Sequence, residues 1–407
     1  MALAEIKSEK ISSLPLGVHE ESAPLRKILM WGSPGAETIL GQLLPKKLSC
    51  FEAQFDVLGA RHEFGVAQTI LKKEGIEIVQ VKDLFADMVK KQNIEPTMDI
   101  ESLSEEITKR AFDYYKKYRD QDISDIEEVL GWLPKVLKDD VEKYGEKTAV
   151  VMNKILSLDS PLPLSNVLYA RDQSNLMENT WVWSSMRHEI RQPEVYLFKT
   201  VLSYSGILKP TEVTEVQISG DGRFEGGDGI VNGGNIYIGV GGRTNLEGIL
   251  QAAPSMLSNG GSILVPIDHE RDLGTKQEMD AMHLDTIWMP SDKNEIVACE
   301  DEVSRRRLLE IKNINGQIKV SDIGWFADHL AKRGVDLIPL TKEEQEKYAP
   351  NFLNLGDKRV VLSLAEGNKL TDRLGNKGKR VYNANLVNIT KGYGGLHCMT
   401  ASIVREK

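Results

Sequence analysis

Cysteine is scarce in this chain of 407 residues: there are three, Cys50, Cys299 and Cys398, and no two form a CxxC pair. An odd and scattered set excludes a disulfide framework and a cysteine zinc site, and it fits a reducing cytoplasm. No apolar run approaches the length that spans a bilayer. The opening MALAEIKSEKISSLPLG has no basic segment followed by an apolar one, so neither a membrane nor export is expected. The G-x-G-x-x-G fingerprint and the P-loop are both missing, which leaves no signal for a nucleotide. The 7 histidines form no spaced cluster, which disfavours a metal centre, and no cofactor is expected. Dense basic runs are absent too. Lys+Arg number 51 against 60 Asp+Glu, a formal charge of −9, so nucleic acid is not an expected partner.

What is present is ordinary globular material, 41% hydrophobic and 6% aromatic, long enough for a large core. Residues 26–32 read as a strand closed by the turn Gly32-Ser33-Pro34-Gly35, residues 55–73 as a helix, and 76–81 as a second strand, together one βαβ unit. Residues 82–158 change character, with much Lys, Glu, Asp and Leu and almost no glycine. Apolar residues at three- and four-residue spacing predict helices over 102–118, 123–138 and 141–155, an insertion in an α/β scaffold. After Pro161 and Pro163, short strands and helices alternate. Strands are expected at 166–172, 180–184, 213–218, 262–267, 282–289, 360–365, 384–389 and 400–404. Their recurrence suggests units arranged around an axis more than one wide sheet. The expected division is residues 1–81 and 159–407 for the α/β part, with 82–158 inserted.

The chemistry gathers at strand ends and glycine-rich joints. Near the end of the chain, Gly392-Tyr393-Gly394-Gly395-Leu396-His397-Cys398 is a loop whose glycines permit unusual backbone conformations and deliver a thiol to an enclosed point. A lone cysteine is more often structural than reactive, and only its company reverses that. Glu225 and Asp228 lie in a Glu-Gly-Gly-Asp segment, which reads equally well as a turn or as a place of close ligand approach. His283 and Asp285 are two apart on an expected strand, so both would point to one face. On an apolar strand that is costly unless the face is a site. Thiol nucleophile, imidazole proton shuttle and carboxylates able to hold a cation form one consistent set.

Asn166 to Asp172, the EGGD at 225–228, the HLD at 283–285 and the GGLHC ending at Cys398 resemble arginine deiminase, of the guanidine-modifying superfamily. The similarity runs from about Gly17 to the C-terminus. It implies a five-bladed β/α propeller (pentein) with an inserted helical domain and the site on its axis. It implies Cys398 as nucleophile, His283 as general acid and base, and Asp172 and Asp285 as carboxylates gripping a guanidinium, with Glu225 orienting the imidazole or hydrogen-bonding the guanidinium. Asn166, Arg191 and Arg243 would hold the amino-acid end of the substrate, with Asp228 and Tyr393 also lining the substrate site. The sequence departs from the family at Tyr393 and at Pro193, where arginines are usual, so the implied substrate is arginine first, then a larger guanidino compound. The intact EGGD favours hydrolysis over the runner-up, amidino transfer to an amine. Agmatine, which has no carboxylate, would leave two arginines without a role. An inactive binding protein on the same fold is the alternative from another class. The partner implied is a small guanidino molecule, with self-association into a homo-oligomer allowed.

Overall fold

The computed structural model describes residues 14–118, 125–268 and 281–406. Five sheets share one topology, in which a first strand runs antiparallel to a middle strand and a third lies parallel to that middle strand. The first strands are Ser174–Met177, Gly229–Asn232, Trp288–Asp292, Leu353–Gly356 and Thr400–Arg405. The first four return at once to their middle strands: Thr180–Trp183, Asn235–Ile238, Glu295–Cys299 and Arg359–Leu362. The fifth sheet is joined across the sequence, because Thr400–Arg405 pairs antiparallel with Leu25–Met30, which runs parallel to Glu77–Gln80.

A parallel neighbour cannot be reached by a tight turn, so each middle strand leads into a helical crossover. Val57–Lys73 is such a helix, and it starts where Asp56 Oδ1 accepts a hydrogen bond from Leu58 N at 2.9 Å. Asn245 and Asn368 cap Leu246–Met256 and Lys369–Asn376 in the same way. These side chains satisfy amides that a helix start leaves without partners. The second sheet, which begins at Gly229–Asn232, is extended by a hairpin, Arg307–Ile314 with Gln317–Trp325, that the sequence pattern did not announce as a long pair.

Residues 81–157 are helical throughout their described length, apart from short joints. The helices are Val81–Lys91, Ile100–Tyr118, Ile126–Gly131, Leu133–Tyr144 and Glu146–Ser157. The expected helix over 141–155 is two: Gly145, with φ +82°, ends one and begins the next. The expected helix over 123–138 divides at Trp132, just before Pro134; its start at Ile123 lies outside the described residues. Leu103, Ile107 and Val136 of these helices belong to the same continuous apolar core as Leu396, Cys398 and Met399. No described helix is long and apolar enough to cross a membrane.

Two expected strands are corrected. Residues 166–172 form a chain of turns, and the strand starts at Ser174; residues 384–389 follow the strand Arg380–Asn383. In both places apolar residues are buried inside turns, a pattern that hydrophobicity alone does not separate from a strand.

The segment ahead of Leu25 is held by charge as well as by backbone pairing. Glu21 and Arg405 are both buried, with Arg405 Nη2 2.6 Å from Glu21 Oε1. Burial works against the Glu21 carboxylate, yet Arg405 and His397 bring its pKa down to about 2. Removing one partner leaves a buried charge uncompensated, so Glu21→Ala should cost about 3–5 kcal/mol in urea unfolding at neutral pH. Because the folded pKa is depressed, the stabilisation is present above the ordinary value of 4.5 and is lost as pH falls toward about 2. The gap between parent and variant should therefore close over that window.

Candidate active site

The residues that carry chemistry sit ahead of the first strands of four of the five sheets. Asp172 precedes Ser174–Met177, Glu225 and Asp228 precede Gly229–Asn232, His283 and Asp285 precede Trp288–Asp292, and Cys398 precedes Thr400–Arg405. Loops on a rigid scaffold are where such groups are usually positioned. A narrow cavity is lined by Cys398, His283, Asp172, Asn166, Arg191, Arg243 and Tyr393, together with Cys50, Tyr169, Met282 and Gly392. Asp285, Glu225 and Asp228 stand behind this wall, buried, and act on it through their neighbours.

The expectation that His283 and Asp285 share a strand face is overturned. Leu284–Thr286 is a 3-10 turn, and the strand begins only at Trp288. The turn sends the two side chains to different partners. His283 Nε2 is 3.0 Å from Glu225 Oε2, and its Nδ1 is 3.8 Å from Asp172 Oδ1. Asp285 Oδ2 is 2.7 Å from His397 Nδ1 and 3.5 Å from Cys398 Sγ. Asp228 accepts the Leu284 amide at 3.0 Å and so pins the turn itself.

The glycines of the loop that ends in Cys398 also do something other than expected. The left-handed residue in this stretch is Tyr393, with φ +64°, whereas none of Gly392, Gly394 and Gly395 has positive φ. The need is for space: a Cβ on Gly392 would lie 1.9 Å from the Tyr169 hydroxyl. That hydroxyl donates to Ile389 O at 2.7 Å, and Arg171 Nε reaches His397 O and Thr400 O at 3.0 and 2.9 Å. The turns of residues 166–172 thus clamp the loop that ends in Cys398.

The electrostatics follow from burial. Burial opposes charge on His283, but Asp172, the hydrogen bond to Glu225 and the nearby Asp228 outweigh it and raise its pKa to about 9. Glu225 is driven the other way: burial again opposes, but Arg243, His283 and Arg191 hold it well below the carboxylate range. For Cys398, burial and then Asp285 and Asp172 push the thiol well above its ordinary value. Burial lifts Asp228 to about 7. The free site therefore holds a neutral thiol beside an imidazolium at neutral pH.

Arg191 Nη1 lies 2.9 Å from Asp172 Oδ2 and its Nε 3.1 Å from Glu194 Oε2, while Arg243 Nη1 is 3.6 Å from Glu225 Oε2. Asn166 donates from Nδ2 to Ser49 O at 2.7 Å, beside Cys50. Cys50, Glu194 and His397 are site residues that the motifs did not single out; only adjacency to Cys398 could have drawn attention to His397. Among the described residues, Asp172, Glu225 and His283 offer donor atoms within 4.8 Å of one another that could hold a metal ion. With Arg191 and Arg243 already beside them, the same oxygens suit a flat organic cation that hydrogen-bonds at several points.

The arginine deiminase family model matches residues 48–405. This chain belongs to the arginine deiminase family. Its members include the arginine deiminase of Borrelia duttonii (strain Ly), 24% identical over 423 residues that span 96% of this chain and 98% of that relative. An uncharacterised protein of Bacillus subtilis (strain 168), YkgA, is 26% identical over 243 residues, covering 60% of this chain and 71% of YkgA. Among solved structures, dimethylarginine dimethylaminohydrolase from Pseudomonas aeruginosa, a mutant complexed with citrulline, superposes with a TM-score of 0.54 at 16% identity. That match covers 93% of this chain and 99% of the other, and shows a shared mixed α/β fold. A second structure of a dimethylarginine dimethylaminohydrolase, an adduct with 4-chloro-2-hydroxymethylpyridine, gives 0.53 with the same coverage. Family membership makes the chain a hydrolase of amidine C–N bonds.

One close contact in this arginine deiminase-family site is directly testable. A Cβ on Gly227 would stand 2.6 Å from His283 Nδ1, inside van der Waals distance. Gly227→Ala should push the imidazole off Glu225 and lower kcat about 100-fold, the cost of misplacing a catalytic group by about 1 Å. Turnover near the parent rate, with an unchanged circular dichroism spectrum, would show that the imidazole tolerates the shift.

Proposed function

We propose that this member of the arginine deiminase family hydrolyses L-arginine, or a closely related guanidino acid, to citrulline or the corresponding ureido acid and ammonia. One observation supports the reading above the others: a single cavity is walled by a thiol, an imidazole and a carboxylate, and also by two arginines. A guanidinium with a carboxylate at its far end answers both halves. In this reading Cys398 is the nucleophile and His283 the acid and base. Asp172 faces the cation, Asp285 acts on it from behind the cavity wall, and Glu225 orients His283. Arg191, Arg243, Asn166 and Tyr393 line the rest of the substrate site, with Asp228 behind them.

A guanidinium resists attack because its charge is delocalised, so the site must fix it against carboxylates and align sulfur with its central carbon. The arriving cation offsets the field of Asp172 and Asp285 that keeps the thiol protonated, and the sulfur gives up its proton to solvent water as the substrate enters. Thiolate attack forms a tetrahedral adduct. The His283 imidazolium protonates the departing nitrogen, and ammonia leaves a covalent thiouronium. Neutral His283 then takes a proton from water, hydroxide adds to carbon, and the adduct expels sulfur.

The repeating sheets support a five-bladed β/α propeller with the site on its axis, formed by residues 1–81 and 159–407 with the helical segment 82–158 inserted. A cytoplasmic setting fits three free, buried cysteines.

Incubation with L-arginine alone should yield ammonia and citrulline. Product only on addition of an amine would replace hydrolysis with amidino transfer, and binding without product would make the protein a binder. Cys398→Ala should abolish turnover and leave the fold intact; residual activity at the parent rate would remove Cys398 from the role. The imidazolium that protonates the leaving group is present below its folded pKa, so kcat should fall as pH rises through about 9.

A further inference from the structure

Four of the five sheets deliver a reacting or orienting group just ahead of their first strand, at Asp172, at Glu225 and Asp228, at His283 and Asp285, and at Cys398. The remaining sheet begins at Leu353 and has no charged or nucleophilic residue at that point. Two residues ahead of it, at the same offset as Asp172 and Cys398 from their own strands, stands Asn351. It is completely buried.

Its carboxamide is spent on the nucleophile. Asn351 Nδ2 donates to Cys398 Sγ at 3.1 Å and to the Asp285 carbonyl at 3.3 Å. Asn351 Oδ1 accepts from the amides of Cys398, at 3.1 Å, and of Gly395, at 2.9 Å. The backbone carbonyl of Asn351 accepts the Ser363 hydroxyl at 3.0 Å, and that hydroxyl accepts the Leu396 amide at 2.8 Å. An amide oxygen and an amide nitrogen in one rigid plane thus grip the loop and the sulfur together. The nearest carboxylate to the sulfur, Asp285, disfavours a thiolate, so the Asn351 N–H is a neutral donor facing the atom on which negative charge must develop.

We propose that Asn351 is a further catalytic residue of this site, a fixed hydrogen-bond donor to the Cys398 sulfur whenever that sulfur carries charge. It acts twice. When the S–H proton leaves, the pair left on sulfur receives the Nδ2 hydrogen bond, and sulfur then forms the C–S bond. When the second tetrahedral adduct collapses, the C–S bond breaks, its electron pair returns to sulfur, and the same N–H receives it. Such fixed donors act best where water is excluded and need no rearrangement as charge appears. The inference rests on Cys398 being the nucleophile, and its primary test needs no substrate.

Two variants separate the donor from the loop-holding oxygen. Asn351→Asp keeps an oxygen for the Gly395 and Cys398 amides and removes the amide donor; Asn351→Ala removes both. The rate at which iodoacetamide labels Cys398, followed by mass spectrometry across the neutral and alkaline range, reports the thiol pKa. Both variants should raise that pKa by about one unit or more, Asn351→Ala by loss of the donor with no carboxylate added; a rise confined to Asn351→Asp is the effect of the new charge and overturns the proposal. If the parent turns over arginine, kcat in Asn351→Asp should fall about 10²- to 10³-fold, the loss typical of a removed oxyanion donor, with KM nearly unchanged. An Asn351→Asp labelling profile that superposes on the parent's overturns the proposal. So does a loss confined to Asn351→Ala, which would make Asn351 a holder of the loop only. A parent without turnover but with the shifted labelling profile overturns the proposed reaction and leaves the donor role standing.

Discussion

The constraint on which this structure turns is the neutralisation of buried carboxylates. Asp172, Glu194, Glu225 and Asp285 are all shut away from water, and each ionised oxygen there is costly unless a cation or donor meets it. Arg191 is shared between Asp172 and Glu194, His283 meets Glu225, and His397 meets Asp285. The pairing locks the imidazole in orientation and keeps it charged. Burial, Asp285 and Asp172 meanwhile hold the Cys398 thiol well above its ordinary pKa. In the proposed reaction, restraint of the sulfur and selection of a cationic substrate then follow from one field.

Backbone topology makes that concentration of charge possible. Each sheet offers the same point, the turn ahead of its first strand, and five such points supply thiol, imidazole, carboxylates and carboxamide from stretches far apart in sequence. The small residues are placed for closeness. Gly392 admits the Tyr169 hydroxyl and Gly227 admits the ring of His283, so side chains rest on bare backbone where a methyl group would hold them off.

Much of the site was legible in the sequence, because glycine clusters and charged pairs in apolar surroundings are rare enough to notice. Cys398, His283 and Glu225 announced themselves in that way, whereas Asp172 was marked only by the family resemblance. The fold was legible in outline as repeated α/β units with helices at 81–157, and Gly145 and Pro134 could have marked where those helices break. The shared face of His283 and Asp285 was misread because a three-residue 3-10 turn has no hydrophobic period of its own. Asn351 was invisible: one uncharged residue between Pro350 and Phe352, without a glycine beside it, carries no sequence signal. Its equivalence to Asp172 and Cys398 emerges only from strand pairing, which residue patterns too divergent to align could not supply.

The sheet that carries Cys398 has one further consequence. Leu25–Met30 precedes the strands of the other four sheets in the chain, and its antiparallel partner Thr400–Arg405 follows them all. The other four sheets can form first during synthesis, but this one must wait for Thr400–Arg405. A chain interrupted before residue 398 would carry strands for four sheets and lack the Cys398 thiol. Closure of the fifth sheet and arrival of that thiol beside His283 and Asp285 belong to one late step of folding.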